Sequence, residues 1–295
     1  MRTRDIAMLV ALAAIWGLSF PLTRLAAPAF GPLPLVGVRV LVAVAVLLPL
    51  VLIKERAVLR QNLGPLFFLG IINSAVPFAL FAFAVLHITS GFTALLNATT
   101  PMFGAVLAAF IFNERVTRSR WLGVFIGFVG VGTLVWDAVG TRSPHAAYGV
   151  AAALTAAFLY AIAATYTKRR LGTLDSTTLA AGSLTGAAIV SLPFAVWQWP
   201  SVSPTLVQWL CAIFLGLFGT AIAYALYFRL IKNVGVARAT TVTFLVPLFG
   251  IFWGALILHE HITWTLLVSC VLVAIGTSLA VGVLRLPESK TEGIA

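Results

Sequence analysis

Three prolines mark where chemistry inside this largely apolar chain would begin. A proline in a helix has no N–H, so the carbonyl four residues back loses its donor. Pro77 does this to Asn73, Pro101 to Asn97 and Pro247 to Thr243, so each freed carbonyl belongs to a polar residue. Inside a bilayer such groups must find a partner or line a cavity. Two of the prolines also correspond to each other. The block PMFGAVLAAFIFNERVTRSRW from Pro101 returns 146 residues later as PLFGIFWGALILHEHITWTLL from Pro247. The expectation is a pseudo-symmetric pair of exposed acceptors near the membrane midplane.

Helical spacing gathers further groups around those breaks. Trp16, Ser19 and Phe20 share one segment, with Thr23 a turn beyond. Asn73, Phe78 and Phe81 surround Pro77. Asn97 and Thr100 precede Pro101, and Thr243 precedes Pro247. Tyr160, Tyr224 and Tyr227 add phenols, with Thr220 alongside. Together they describe an aromatic, apolar chamber with a few hydroxyls and amides, the residue types that hold a small molecule.

Ionisable groups are scarce in the apolar segments. Every Asp and Glu falls at a segment end, and Glu114 and Glu260, repeat partners, read as structural. Arg39 is the one deep charge. It can snorkel outward, cap helix ends or attract a carboxylate, and the structural role is the simpler reading. His259 and His261 are two residues apart, so they do not share a helix face as the pair in HExxH does. No metal site, cofactor or catalytic constellation is expected, and the chain does not read as an enzyme. Cys211 and Cys270 read as small core residues.

The segments that must position these groups are transmembrane. Hydrophobic residues make up 61% of the 295 and charged ones 9%, far from the balance of a soluble domain. Ten helices are expected, near 6–26, 33–53, 63–86, 91–112, 120–137, 147–167, 176–196, 206–229, 236–258 and 263–284. The net charge of +11 comes mostly from Lys and Arg in short loops, where they set orientation, so nucleic acid is not an expected partner. Counting those loops puts both termini in the cytoplasm. Trp136, Trp197, Trp199, Trp209 and Trp264 then fall at the outer interface, whereas Trp16 and Trp253 lie deep.

The fold class that follows is an all-α polytopic membrane protein, with ten transmembrane helices in two inverted five-helix repeats. Residues 1–137 form the first repeat, 147–284 the second and 285–295 a cytoplasmic tail. The basic residues after Glu114 (Arg115, Arg118, Arg120) are absent after Glu260, as expected if an odd number of spans was duplicated. Gly123, Gly127 and Gly130 form a small-residue stripe, read as packing within a monomer rather than between monomers.

These features carry a resemblance. IWGLSFPLTRL (Ile15 to Leu25), VRVLVAVAVLL (Val38 to Leu48) and the paired blocks Pro101 to Gly130 and Pro247 to Gly276 resemble the drug/metabolite transporter superfamily in its ten-helix EamA-type branch. Within it the chain looks closest to the aromatic amino-acid and metabolite exporters of the YddG type. The resemblance implies a central cavity lined by helices 1, 3, 4, 6, 8 and 9, with helices 5 and 10 peripheral, and export of amino acids or similar metabolites from the cell through the inner membrane. Small four-helix relatives use a glutamate in helix 1 for proton-coupled efflux; helix 1 here has no carboxylate beyond Asp5. The expectation is therefore alternating access by uniport or exchange, with multidrug export or proton antiport as alternatives. A small molecule and the lipid bilayer are the only expected partners.

Overall fold

Large apolar side chains face outward in this protein and hydroxyls face inward. Trp264 is 82% exposed and Ile53 82%, whereas Thr93 and Ser269 are 0% exposed. Water would reverse this preference, and lipid permits it. The computed structural model describes residues 2–111, 116–141 and 145–284. Glu114, Arg115, Arg142 and the expected tail 285–295 lie outside the described residues.

The described chain is built from helices: α1 Thr3–Phe30, α2 Pro32–Ile53, α3 Leu63–His87, α4 Ser90–Phe110, α5 Arg118–Asp137, α6 Ala146–Arg170, α7 Ser176–Trp197, α8 Leu206–Val234, α9 Val242–Leu258 and α10 Trp264–Val281. Among the described residues nine are long and apolar enough to cross a bilayer, and α9, with 17 residues, is a shorter apolar helix. The protein is an all-α polytopic membrane protein. Gly31 alone joins α1 to α2; its φ of 78° is open to glycine, and Pro32 then starts α2.

Two expected helices are interrupted, and by the same device. The ninth, expected unbroken over 236–258, is a short helix Val236–Ala239 followed by a turn at Thr240 and Thr241 before α9. Within α4 the turn falls at Ala98 and Thr99. In both, threonine hydroxyls donate to carbonyls three residues back: Thr99 to Leu96 (2.7 Å), Thr100 to Asn97 (2.8 Å), Thr241 to Arg238 (2.7 Å) and Thr243 to Thr240 (2.8 Å). Such local bonds compete with the α-helical ladder. Pro101 therefore sits at the start of a new helical segment, where its missing N–H costs little. The carbonyl of Asn97 is not an exposed acceptor, because the Thr100 hydroxyl occupies it. That corrects the expected symmetric pair of free carbonyls.

Periodicity alone did not foresee a second departure. α3 passes through a π-helical turn at Ile71–Ala75 and α8 through one at Leu217–Ile222. They begin 146 residues apart, the spacing of the repeated sequence block. In α3 the N–H of Val76 reaches the carbonyl of Ile71, so the ladder has left α register before Pro77.

Packing follows a pairwise pattern. α5 packs on α10, α2 on α7 and α4 on α9. α1 packs on α9 as α6 does on α4, α3 on α6 as α8 does on α1, and α3 on α7 as α8 does on α2. Exchanging each helix for the one five places along maps this set onto itself. Glycines allow the close crossings. A Cβ on Gly17 of α1 would stand 2.8 Å from the backbone N of Gly250 in α9, and one on Gly216 of α8 would stand 2.7 Å from the carbonyl oxygen of Arg39 in α2. Cys211 and Cys270 are buried, free thiols in apolar clusters.

Candidate functional site: a central cavity

The interrupted segments and the π turns converge on a cavity of about 260 Å³. α1 lends Trp16, Ser19, Phe20 and Thr23. α3 supplies Asn73, Phe78, Phe81 and Val85. α4 gives Asn97, Thr100 and Pro101, and α6 gives Tyr160. α8 supplies Gly219, Thr220 and Tyr224, and α9 Thr243 and Val246. α2 contributes Arg39. α5 and α10 contribute no lining residue.

Of the side chains singled out from sequence, Trp16, Ser19, Phe20, Asn73, Phe78, Phe81, Asn97, Thr100, Tyr160, Tyr224, Thr243 and Pro101 meet at this cavity. Tyr227, Pro77 and Pro247 do not line it. Tyr227 packs its ring on Trp16, centroids 5.4 Å apart, and is not among the lining residues. Tyr224 and Tyr227 lie on one regular helical stretch after the π turn, and it is Tyr224 that faces the cavity. Pro247 is buried inside α9 and Pro77 stands at the start of the α-helical part of α3, both behind the lining.

The wall is aromatic and its polar groups are held in place. Phe20 meets Phe81 edge-on at 5.7 Å, and Phe81 meets Tyr160 at 5.8 Å. Ring pairs at such separations prefer tilted geometry and rigidify one another. Asn73 Nδ2 donates to the Tyr224 hydroxyl at 3.3 Å. The Oδ1 of Asn97 is buried and has no hydrogen-bond partner among the described residues.

Arg39, singled out from sequence as the one deep charge but not as part of the lining, belongs to it. It neither snorkels nor caps a helix. Its Nε donates to Thr220 Oγ1 at 3.0 Å, and its guanidinium carbon lies 3.8 Å from the centroid of the Phe78 ring. Thr220 Oγ1 in turn donates a hydrogen bond to the Leu215 carbonyl, five residues back, at 2.9 Å. Its hydroxyl is thereby turned to accept from Arg39. The signal available in sequence was Gly216, one turn before Thr220, which lets α2 and α8 approach at the backbone of Arg39.

A second hollow, of about 470 Å³, lies between α2, α7 and α8 and is lined by Leu47, Val51, Glu55, Asp175, Thr178 and Tyr224, among others. Tyr224 therefore borders both spaces.

At the opposite end of the bundle, Glu260 has a structural task. Its carboxylate accepts from Ser90 N (2.8 Å), Ser90 Oγ (2.9 Å) and Gly91 N (3.2 Å), capping the N-terminus of α4. Arg24 Nε stands 3.5 Å from the same carboxylate, and its Nη1 donates to the carbonyls of Val85 (3.1 Å) and Ile88. One carboxylate thus ties α1, α3, α4 and the α9–α10 loop together. Negative charge at a helix N-terminus is stabilising, and bonds to a charged acceptor exceed neutral ones. Arg24 is 35% exposed, which weakens the ionic part. Glu260→Gln is expected to cost about 1–2 kcal/mol, read as a lower thermal midpoint in detergent. Ligand affinity should stay unchanged, since Glu260 is not in the cavity. A tenfold loss of affinity at unchanged stability would assign it another role.

The sequence profile of the EamA-like transporter family matches the chain twice, over residues 4–136 and 147–282. The uncharacterized transporter YvbV of Bacillus subtilis (strain 168) is 24% identical over 284 residues, covering 94% of this chain and 92% of its own length. An uncharacterized transporter of Archaeoglobus fulgidus is 24% identical over 266 residues, covering 90% and 94%. The uncharacterized inner membrane transporter YedA of Escherichia coli (strain K12) is 27% identical over 260 residues, covering 83% and 80%. A solved crystal structure, 21% identical, superposes on 95% of this chain and 97% of its own with a TM-score of 0.64, which shows a common fold. With its profile repeated along nearly the whole length of an apolar helical bundle, the chain belongs to the EamA-like transporter family.

Proposed function

We propose that this transporter moves small neutral or zwitterionic metabolites, amino acids first among them, outward across the cell (inner) membrane. It does so by alternating access, as a uniporter or exchanger. The observation that carries the reading is the cavity. It is small, just below the roughly 300–1,000 Å³ usual for ligand pockets, and aromatic, and its lining includes no Asp, Glu or His. A bulky or cationic drug would be poorly held there. Both halves of the chain supply its lining, which suits a solute gripped between two moving units.

The architectural part of the proposal is ten spans in two inverted five-helix repeats, residues 1–137 and 147–284. Val236–Ala239 and α9 together make the ninth span. Support comes from the π turns 146 residues apart and from packing pairs that exchange under a shift of five helices. The short basic segments support cytoplasmic termini at both ends. A cysteine at Ser201 should react with an impermeant thiol reagent on intact cells, and one at Arg118 should not, in a background lacking Cys211 and Cys270. The reverse pattern overturns the orientation.

Two variants test the site itself. Asn97→Leu and Thr243→Leu each remove a polar group from the lining and keep a good helix former. Each is expected to lower amino-acid flux in proteoliposomes about tenfold or more, the scale of one lost polar contact to a charged ligand group. The amount of inserted protein should stay the same. Full flux in both would remove these side chains from the site.

A further inference from the structure

We propose that Arg39 anchors a carboxylate on the transported solute, so that the cavity selects organic acids with a small apolar body and rejects solutes whose only charge is positive. This rests on the reading of the cavity as the transport site and names the group it recognises.

Arg39 is a fixed cation in the lining of a mostly apolar chamber. A charge in such a place is costly unless it is paired. The Glu260 carboxylate, paired with Arg24, is not among the lining residues, and no Asp or Glu lines the chamber. Thr220 and Phe78 engage the Nε edge and the face of the guanidinium. Its terminal nitrogens have no hydrogen-bond partner among the described residues. A planar fork held by its edge and one face, with its tip unused, suits two-point binding of a carboxylate. Orientation is already set, because Thr220 is locked by Leu215 and α2 is drawn against α8 at Gly216. A ligand therefore need not order the arginine.

An independent observation extends the assignment. The Oδ1 of Asn97, on α4, is buried without a partner among the described residues, and Asn97 lines the same cavity. A buried acceptor without a donor is destabilising, and a donor on the solute would relieve it. A carboxylate for Arg39 and an N–H for Asn97 together describe an amino acid. The carboxylate is the essential half, because it alone cancels a full charge.

Four solutes with one aromatic body separate these terms: L-phenylalanine, 3-phenylpropanoate, L-phenylalanine methyl ester and 2-phenylethylamine. Binding to the purified full-length protein is read from ligand-induced thermal stabilisation in detergent, which scales with the ligand's affinity. The two carboxylates are expected to bind at least tenfold more tightly than the ester and the amine. That gap needs no mutation to be seen. Arg39→Gln should abolish it, Arg39→Lys should retain part of it, and Thr220→Val should narrow it while leaving the charge in place. A purely structural arginine would lower affinity for all four alike. Equal binding of amine and carboxylate by the wild type, no binding of any of the four, or a gap that survives Arg39→Gln would each overturn the proposal. If 3-phenylpropanoate binds through Arg39 but no solute crosses proteoliposomes, the anchor stands and the transport reading falls. If amino acids cross yet the gap is missing, the anchor falls and the transport reading stands.

Discussion

Gly276→Val is expected to remove the protein from the folded, monodisperse fraction in detergent. α5 and α10 cross with backbone against backbone. A Cβ on Gly276 would stand 2.6 Å from the carbonyl oxygen of Gly123 and 2.6 Å from the Cα of Gly127. Both are main-chain atoms, so no side chain can turn aside and the helices must part. Parting them also strains the bond between Thr133 Oγ1 and Ser269 Oγ (3.0 Å), and the one from Thr277 Oγ1 to the Ala98 carbonyl at the break in α4 (3.2 Å). In lipid, close packing and such interhelical bonds supply much of the association energy, since the hydrophobic effect no longer discriminates. Overpacking of this kind costs about 3 kcal/mol or more when backbone must move. Gly132→Ala is the internal control: on the same α5, its added Cβ would meet nothing within 4 Å. It should be neutral or stabilise by about 0.5 kcal/mol through helix propensity. Size-exclusion profiles and thermal midpoints check both. A Gly276→Val protein as stable as the wild type would mean that α5 and α10 do not meet backbone to backbone along this seam.

The same seam shows what a sequence can disclose about this fold. The stripe of Gly123, Gly127 and Gly130 was visible as a surface awaiting a close neighbour, but spacing alone does not name the neighbour. The structure supplies α10 of the same chain. Hydropathy located the helices to within a few residues, because length and apolarity decide what crosses a bilayer. It overlooked the interruption before α9, where threonine hydroxyls close a local turn that a hydropathy average smooths away.

Cavity residues were legible where a regular 3.6-residue count holds. Trp16, Ser19 and Phe20 on α1 illustrate this, as do Asn97 and Thr100 before the break in α4. Tyr227 was misplaced because three residues from Tyr224 did not keep it on the cavity side; its ring packs on Trp16 instead. Arg39 was the hardest to read. A long side chain two turns into a span has several destinations, and the one it takes depends on Gly216 and Thr220 in α8, far away in the chain. The repeat also conceals asymmetry. The breaks in α4 and before α9 do not fall at equivalent positions, so the two halves present different groups to one solute. Such asymmetry lets a pseudo-symmetric cavity hold a polar molecule in one orientation.

Amino acid loaded into proteoliposomes is expected to exchange at the same rate with and without a proton or sodium gradient, and exchange should outpace net efflux. Proton antiport needs a group at the binding site that gives up its proton as solute arrives, and in membrane proteins this is usually a carboxylate or histidine. The lining has neither. Glu260 is committed to Ser90 and Arg24, and Asp5 accepts from Asn233 Nδ2 at 2.9 Å near the start of α1. Glu55 and Asp175 lie in the second hollow, beyond Tyr224. Arginine does not deprotonate in a working cycle. Sodium would want several oxygens converging with an acid, and the carbonyl of Asn97, the best candidate, is already taken by Thr100. What remains is the solute's own gradient. Arg39 then sets the relation between exchange and net flux. An empty cavity holds a cation with no anionic partner, and the carboxylate of the amino acid pairs with it. The loaded form should therefore reorient more readily than the empty one, which favours one-for-one exchange over uniport. Labelled amino acid should leave faster into a medium containing unlabelled amino acid than into buffer. Accumulation against the gradient that collapses with a protonophore would overturn this account and direct attention to Glu55 and Asp175, whose hollow shares Tyr224 with the cavity.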